Sequence, residues 1–203
     1  MEPHRIAVKL YLENPEGIDP EELVPVFHRF IREDLVGGIP IDVARYGHVS
    51  DGPGIMIIGH QLDHALDLGD GRAGLSTTRK RDAEGPLATR IAELVQATAR
   101  LSIDLEADPN LAARARVSTG EVRITILDRY EAPNNDATLL KADPAIREVI
   151  AGLSEDGGAE AATIERVGSA RDPFAVRVLL DQPRPLIQWA EGVGATASAI
   201  GQT

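Results

Sequence analysis

A chain of 203 residues with a formal net charge of −11, 43% hydrophobic and 26% charged residues has the composition of an ordinary globular protein. It contains no cysteine, which excludes disulfides, thiolate zinc sites, iron–sulfur clusters and a cysteine nucleophile. The acidic balance repels a phosphate backbone, and no stretch reaches the roughly 18 consecutive apolar residues of a membrane-spanning helix. The first residues lack the basic-then-apolar order of a signal peptide. The expected setting is therefore soluble and cytoplasmic, with neither nucleic acid nor a membrane as partner.

Residues 5–13 (RIAVKLYLE) alternate Ile6, Val8, Leu10 and Leu12 with polar neighbours, the two-residue period of a half-buried strand. Asp19, Pro20 and Glu22 then make a helix start close to a capping box. Pro25 predicts a kink or a delayed beginning, and Gly37-Gly38 a stop. Residues 39–49 read as a second strand and residues 54–70 as one long third strand. Asp70-Gly71 is a strong hairpin signal. It predicts the pairs Leu68–Ala73, Leu66–Leu75, His64–Thr77 and Leu62–Arg79. One face of that hairpin is then apolar and carries His60 and His64; the other is polar and carries Asp63.

Residues 85–106 give the clearest amphipathic helix, with Leu87, Ile91, Leu94, Val95, Thr98, Leu101 and Leu105 on one stripe. Residues 121–130 read as a strand and 131–142 as a long loop. Asp143-Pro144 opens a second capped helix, and residues 161–182 make two strands around a turn at 171–173. Residues 185–192 suit a final strand or short helix, ahead of a small, uncharged tail. The fold class is α+β, with antiparallel sheet and helices on one face. Residues 1–106 and 107–190 form two βαββ-like halves packed together, and 191–203 form the tail. Residues 43–61 align without gaps over 164–182, matching Gly47 with Gly168, Asp51 with Asp172 and Gln61 with Gln182. This suggests an internal duplication.

Three of the five histidines, His48, His60 and His64, lie within twenty residues, next to Asp51 and Asp63. His28 could join them from the first helix. Three interpretations stay open. The rings are ordinary core histidines, each hydrogen-bonded and neutral; or they line a small-molecule or acid–base pocket made of His28, His48, His60, His64, Asp51 and Asp63; or His48, His60 and His64 hold a divalent metal. The metal version meets an objection: residues four apart on an extended strand lie about 13 Å apart, so a bulge at Gly59 or a helical turn is needed. His64 opposite Thr77 is the one base–hydroxyl pair the register offers. The Gly-rich residues 50–54 lead into a strand-like run, which suits a turn better than a phosphate cradle. Arg79, Lys80 and Arg81 suit a solvated strand end.

Around PVFHRFI and DVARYGHVSDGPGIMIIGHQLDHALDLGDGRAGL, over roughly residues 5–100, the chain resembles a group of uncharacterised bacterial proteins. The resemblance implies a soluble bacterial protein and brings no activity, cofactor or catalytic residue with it. With no complete catalytic motif, the expected function is a non-enzymatic binding or assembly component. It would work as a homo-oligomer or with a protein partner, and no cofactor is expected. The alternative is a small-molecule or metal-dependent enzyme with a histidine-lined pocket in the first half.

Overall fold

The alternation in residues 6–12 builds β1 (Ile6–Leu12), and its apolar side chains fix where the core lies. The computed structural model describes residues 1–14, 18–49, 52–81, 84–155 and 162–192. The remaining strands are β2 (Pro40–Arg45), β3 (Pro53–Gly59), β4 (Leu62–Asp67), β5 (Gly74–Arg79), β6 (Val117–Ile126), β7 (Ala162–Val167) and β8 (Phe174–Leu180). With β1 they make one antiparallel eight-stranded sheet in the order β2-β3-β4-β5-β1-β6-β8-β7. Ile6, Val8 and Leu10 face Ile126, Ile124 and Val122 across the central β1–β6 pair, and all six are buried. Four helices, α1 (Leu23–Arg32), α2 (Leu87–Glu106), α3 (Asp136–Leu153) and α4 (Leu186–Glu191), contribute to the same apolar core among the described residues. Each fully buried Leu, Ile or Phe there stabilises the fold by about 1.5–3 kcal/mol. The other face of the sheet carries Lys9, Asp63, Ser76, Thr78 and Arg123.

The predicted hairpin register is observed: Leu62 pairs with Arg79, His64 with Thr77 and Leu66 with Leu75. Only the last expected pair, Leu68–Ala73, lies beyond the ladder, because the link is a short 3-10 turn at Gly69–Gly71 with Asp70 at φ 60°. The capping box at Asp19 is also present, with Asp19 accepting from the Glu21 backbone and Glu22 accepting from the Asp19 backbone. It caps a single 3-10 turn, so α1 starts late, at Leu23, and Pro25 falls in its first turn, where no helical bond is lost.

Several expectations fail. The long third strand is in fact β3 and β4, separated by a turn at His60-Gln61. Gly59 explains the reversal: a Cβ there would lie 2.2 Å from the Leu62 carbonyl oxygen, so only glycine allows the backbones to close in. The expected loop at 131–142 is also wrong in its second half. Asn135 accepts a hydrogen bond from the Thr138 N–H and starts α3, leaving Pro144 inside a helix it was expected to open. The chain end at 186–191 is helical, and the tail lies almost wholly outside the described residues. No helix among the described residues is long and apolar enough to cross a membrane.

The first half runs β1-α1-β2-β3, then β4-β5 and α2; the second runs β6-α3-β7-β8, then α4. In the sheet, β8 and β7 follow β6 outward on one side, while β3 and β2 follow β1 on the other once the β4–β5 hairpin is set aside. The two aligned segments therefore form the hairpins at opposite edges of one sheet.

Candidate functional site

The structure does not gather the predicted histidines. His28 is exposed on α1. His48 is exposed in the turn before β3, its ring stacked on Tyr46 with centroids 6.3 Å apart. His60 is exposed in the turn after β3. The seven residues of β3 thus stand between His48 and His60, a span of about 23 Å. The expectation that His60 shares the apolar face with His64 is corrected by the turn, which takes its ring out of the strand. Asp51 lies outside the described residues. Asp63 sits on the opposite face from His64, where it accepts the Gly59 N–H at 3.0 Å and pairs with Lys80 at 2.8 Å. No group of three potential ligands that could hold a metal ion exists among the described residues, so His48, His60 and His64 share no common point for one.

His64 alone points inward and is 2% exposed. Its Nε2 lies 3.3 Å from the Gly37 carbonyl and its Nδ1 3.0 Å from the Thr77 hydroxyl. A carbonyl can only accept, so Nε2 carries the hydrogen and Nδ1 accepts from Thr77. Burial holds the ring below the usual imidazole value of 6.5, against the opposing pull of the Gly37 hydrogen bond and the Asp63 charge. Thr77 has no exposed surface, so its hydroxyl cannot reach a substrate. The pair ties β4 and β5 to the loop after α1.

Next to this ring is a cavity of about 450 Å³ between that loop, α2 and the β4–β5 ends. Residues 93, 96, 97, 100 and 101 of α2 line it, the i, i+3, i+4, i+7, i+8 stripe of one helix face. Arg79 reaches in from β5 and pairs with Glu93 at 2.8 Å, yet its Nε is buried with no hydrogen-bond partner among the described residues. Gln96 and Arg100 both donate to the Ala190 carbonyl at the end of α4.

On the uncovered face of the sheet lies a second polar cluster, which the sequence analysis missed. Lys9 is 4% exposed, and its ammonium donates to Asp70 (2.8 Å) and to the carbonyls of Gly69 (2.8 Å) and Arg72 (2.6 Å), with Asp67 at 3.5 Å. Tyr11 donates to Asp70 at 2.7 Å, Arg123 also meets that carboxylate, and the Arg72 guanidinium lies over the Tyr11 ring at 3.8 Å. Burial opposes ionisation of Asp70, but hydrogen bonds from Lys9 and Tyr11 and the charges of Lys9 and Arg123 outweigh it, so its carboxyl stays below the ordinary 3.8. Burial and the Asp70 contact push the Tyr11 phenol well above its usual 10.0. Every ammonium hydrogen of Lys9 is engaged, so the cluster locks the Asp70 turn onto β1. The available signal was the placement of Lys9 and Tyr11 on the same side of β1.

A third feature is apolar. Of the eight large hydrophobic side chains exposed among the described residues, Leu35, Ile39, Ile41 and Val49 fall in β2 and its flanks. Ile39 is 65% and Ile41 63% exposed. Asp34, Gly38 and Ile39 have φ of 54°, 87° and 54°. A β-branched residue in that region is rare and strained. Among the described residues the strand pairs only with β3, and its outer side is unpaired. Arg79, Lys80 and Arg81 are engaged by Glu93, Asp63 and the His60 carbonyl, as suits a strand end.

Comparison with protein-family models, with curated proteins and with solved structures gives no match.

Proposed function

We propose that this protein is a non-enzymatic assembly component that pairs with a second copy of itself through the β2 edge. The observation that carries this is the placement of Ile39 and Ile41, the two most exposed isoleucines among the described residues, on and beside a strand whose outer side is unpaired there. An unpaired edge offers backbone donors and acceptors, and exposed aliphatic side chains beside it add apolar area. A strand edge is also self-complementary: two copies meet antiparallel about a two-fold axis with the same surface on each side. Pro40 at the strand start and the irregular register between Pro40 and Asp42 limit the length of any such pairing. That favours a closed pair over an open fibre.

The test is light scattering on size-exclusion eluate at tens of micromolar protein. The native chain is expected to run as a dimer and the double variant Ile39→Asp/Ile41→Asp as a monomer with an unchanged circular-dichroism spectrum. A native chain that is strictly monomeric overturns the proposal.

The same reading takes the two halves as duplicated βαββ units, the first carrying an inserted β4–β5 hairpin. The shared element order and the outward strand order on either side of the β1–β6 pair support it. An experimental structure in which the two units superpose no better than unrelated ones would remove it.

A further inference from the structure

The cavity beside His64 is polar, and its hydrogen-bonding groups do not balance among themselves. Arg79 gives one Nη to Glu93, while its Nε stays buried and without an acceptor. That nitrogen has almost no accessible surface, so Arg79 meets the cavity through the rest of its side chain. Arg100 commits only its Nε, to the Ala190 carbonyl at 3.0 Å, which fixes the guanidinium and leaves both Nη groups without a partner among the described residues. The His64 ring closes the floor with both nitrogens already in use, so it supplies neither a proton nor a ligand position. The acids facing the space are Glu93, neutralised by Arg79, and Asp34, which is exposed on the loop. Guanidinium groups lining a cavity are suited to oxyanions, because their forked N–H groups match a carboxylate or a phosphate, and Arg100 keeps both Nη groups uncommitted. A space of about 450 Å³ takes a small metabolite.

We propose that the cavity between α2, the β4–β5 ends and the Asp34–Gly37 loop binds a small oxyanion-bearing molecule, held by Arg79 and Arg100. This site is separate from the β2 contact and does not depend on it.

The probes are succinate for the carboxylate arm and inorganic phosphate for the phosphate arm. The full chain's melting temperature is followed against each, with sodium chloride at matched ionic strength as control. One of the two is expected to raise the midpoint saturably, since a ligand that binds only the folded state stabilises it by mass action. Arg100→Gln, at an exposed position that folding tolerates, is expected to weaken that binding roughly tenfold or more, and Arg100→Lys to recover part of it. Glu93→Gln removes the competing carboxylate from Arg79 and is expected to tighten binding. No rise beyond the chloride control with either anion overturns the proposal, and so does a rise that Arg100→Gln leaves unchanged.

Discussion

His64 and Lys9 are both nearly inaccessible polar residues, in β4 and β1 on either side of β5, but they sit on opposite faces of the sheet and are accommodated differently. On the helix-covered face the imidazole is neutral and makes two hydrogen bonds, one to Thr77 and one to Gly37. On the uncovered face the Lys9 side-chain nitrogen is surrounded by a carboxylate and two carbonyls. The apolar layer disfavours the charged form of its polar member; the open face surrounds its own with acceptors. Burial alone therefore says little about function in this chain. The β2 edge and the Arg79–Arg100 cavity are two places that remain open among the described residues.

Three measurements press on that contrast. The largest effect is expected from Asp70→Ala, which leaves Lys9 without its main counter-charge. Removing one partner of a buried pair costs about 3–5 kcal/mol, and the lower end applies because Asp67 remains 3.5 Å away. Urea unfolding should show a loss of about 3 kcal/mol, partly recovered by Asp70→Asn. A loss under about 1 kcal/mol would mean that the open-face cluster behaves as an ordinary surface ion pair.

A smaller loss, about 1–3 kcal/mol, is expected from His64→Leu, which strands the Thr77 hydroxyl and the Gly37 carbonyl. Adding Thr77→Val to His64→Leu should recover part of it, since the hydroxyl left behind is then gone. A double variant less stable than the single one would contradict this account.

The smallest effect is in pH dependence. The folded-state value of His64 lies below the unfolded 6.5, so the unfolded chain takes up a proton first. The stability this ring contributes is complete above pH 6.5 and drains away as the pH falls below it. Asp70, held below 3.8, has the same sign but acts only at more acid pH. The melting temperature of the native chain should therefore fall between pH 6.5 and 5, and His64→Gln should flatten that segment. An unchanged slope in the variant would show that other groups govern the window.

Much of the fold was legible in the sequence because the period-2 and 3.6-residue patterns mark elements that bury one face. The β4–β5 register followed from the Asp70-Gly71 turn and the apolar alternation, residue by residue. The break at His60-Gln61 was not legible, because it depends on how near the Leu62 carbonyl comes to Gly59, a contact made only once β3 has folded back. For the same reason the histidine cluster dissolved: closeness along the chain became separation by a whole strand. Only His64 kept its predicted inward direction. Arg100 was unremarked since its neighbour, the Ala190 carbonyl, lies 90 residues away in sequence. Asn135 carried a visible capping signal, but the Asp143-Pro144 pair offered a stronger one and drew the helix start eight residues too late.

The position of β1 in the middle of the sheet has a consequence for synthesis. This strand is made before the other seven, yet its neighbours are residues 74–79 on one side and 117–126 on the other. Its second side stays bare until residues 117–126 have emerged, and such distant pairings slow folding. When β6 docks, a single ladder joins the two halves, so a strand made early is completed only by one made more than 100 residues later.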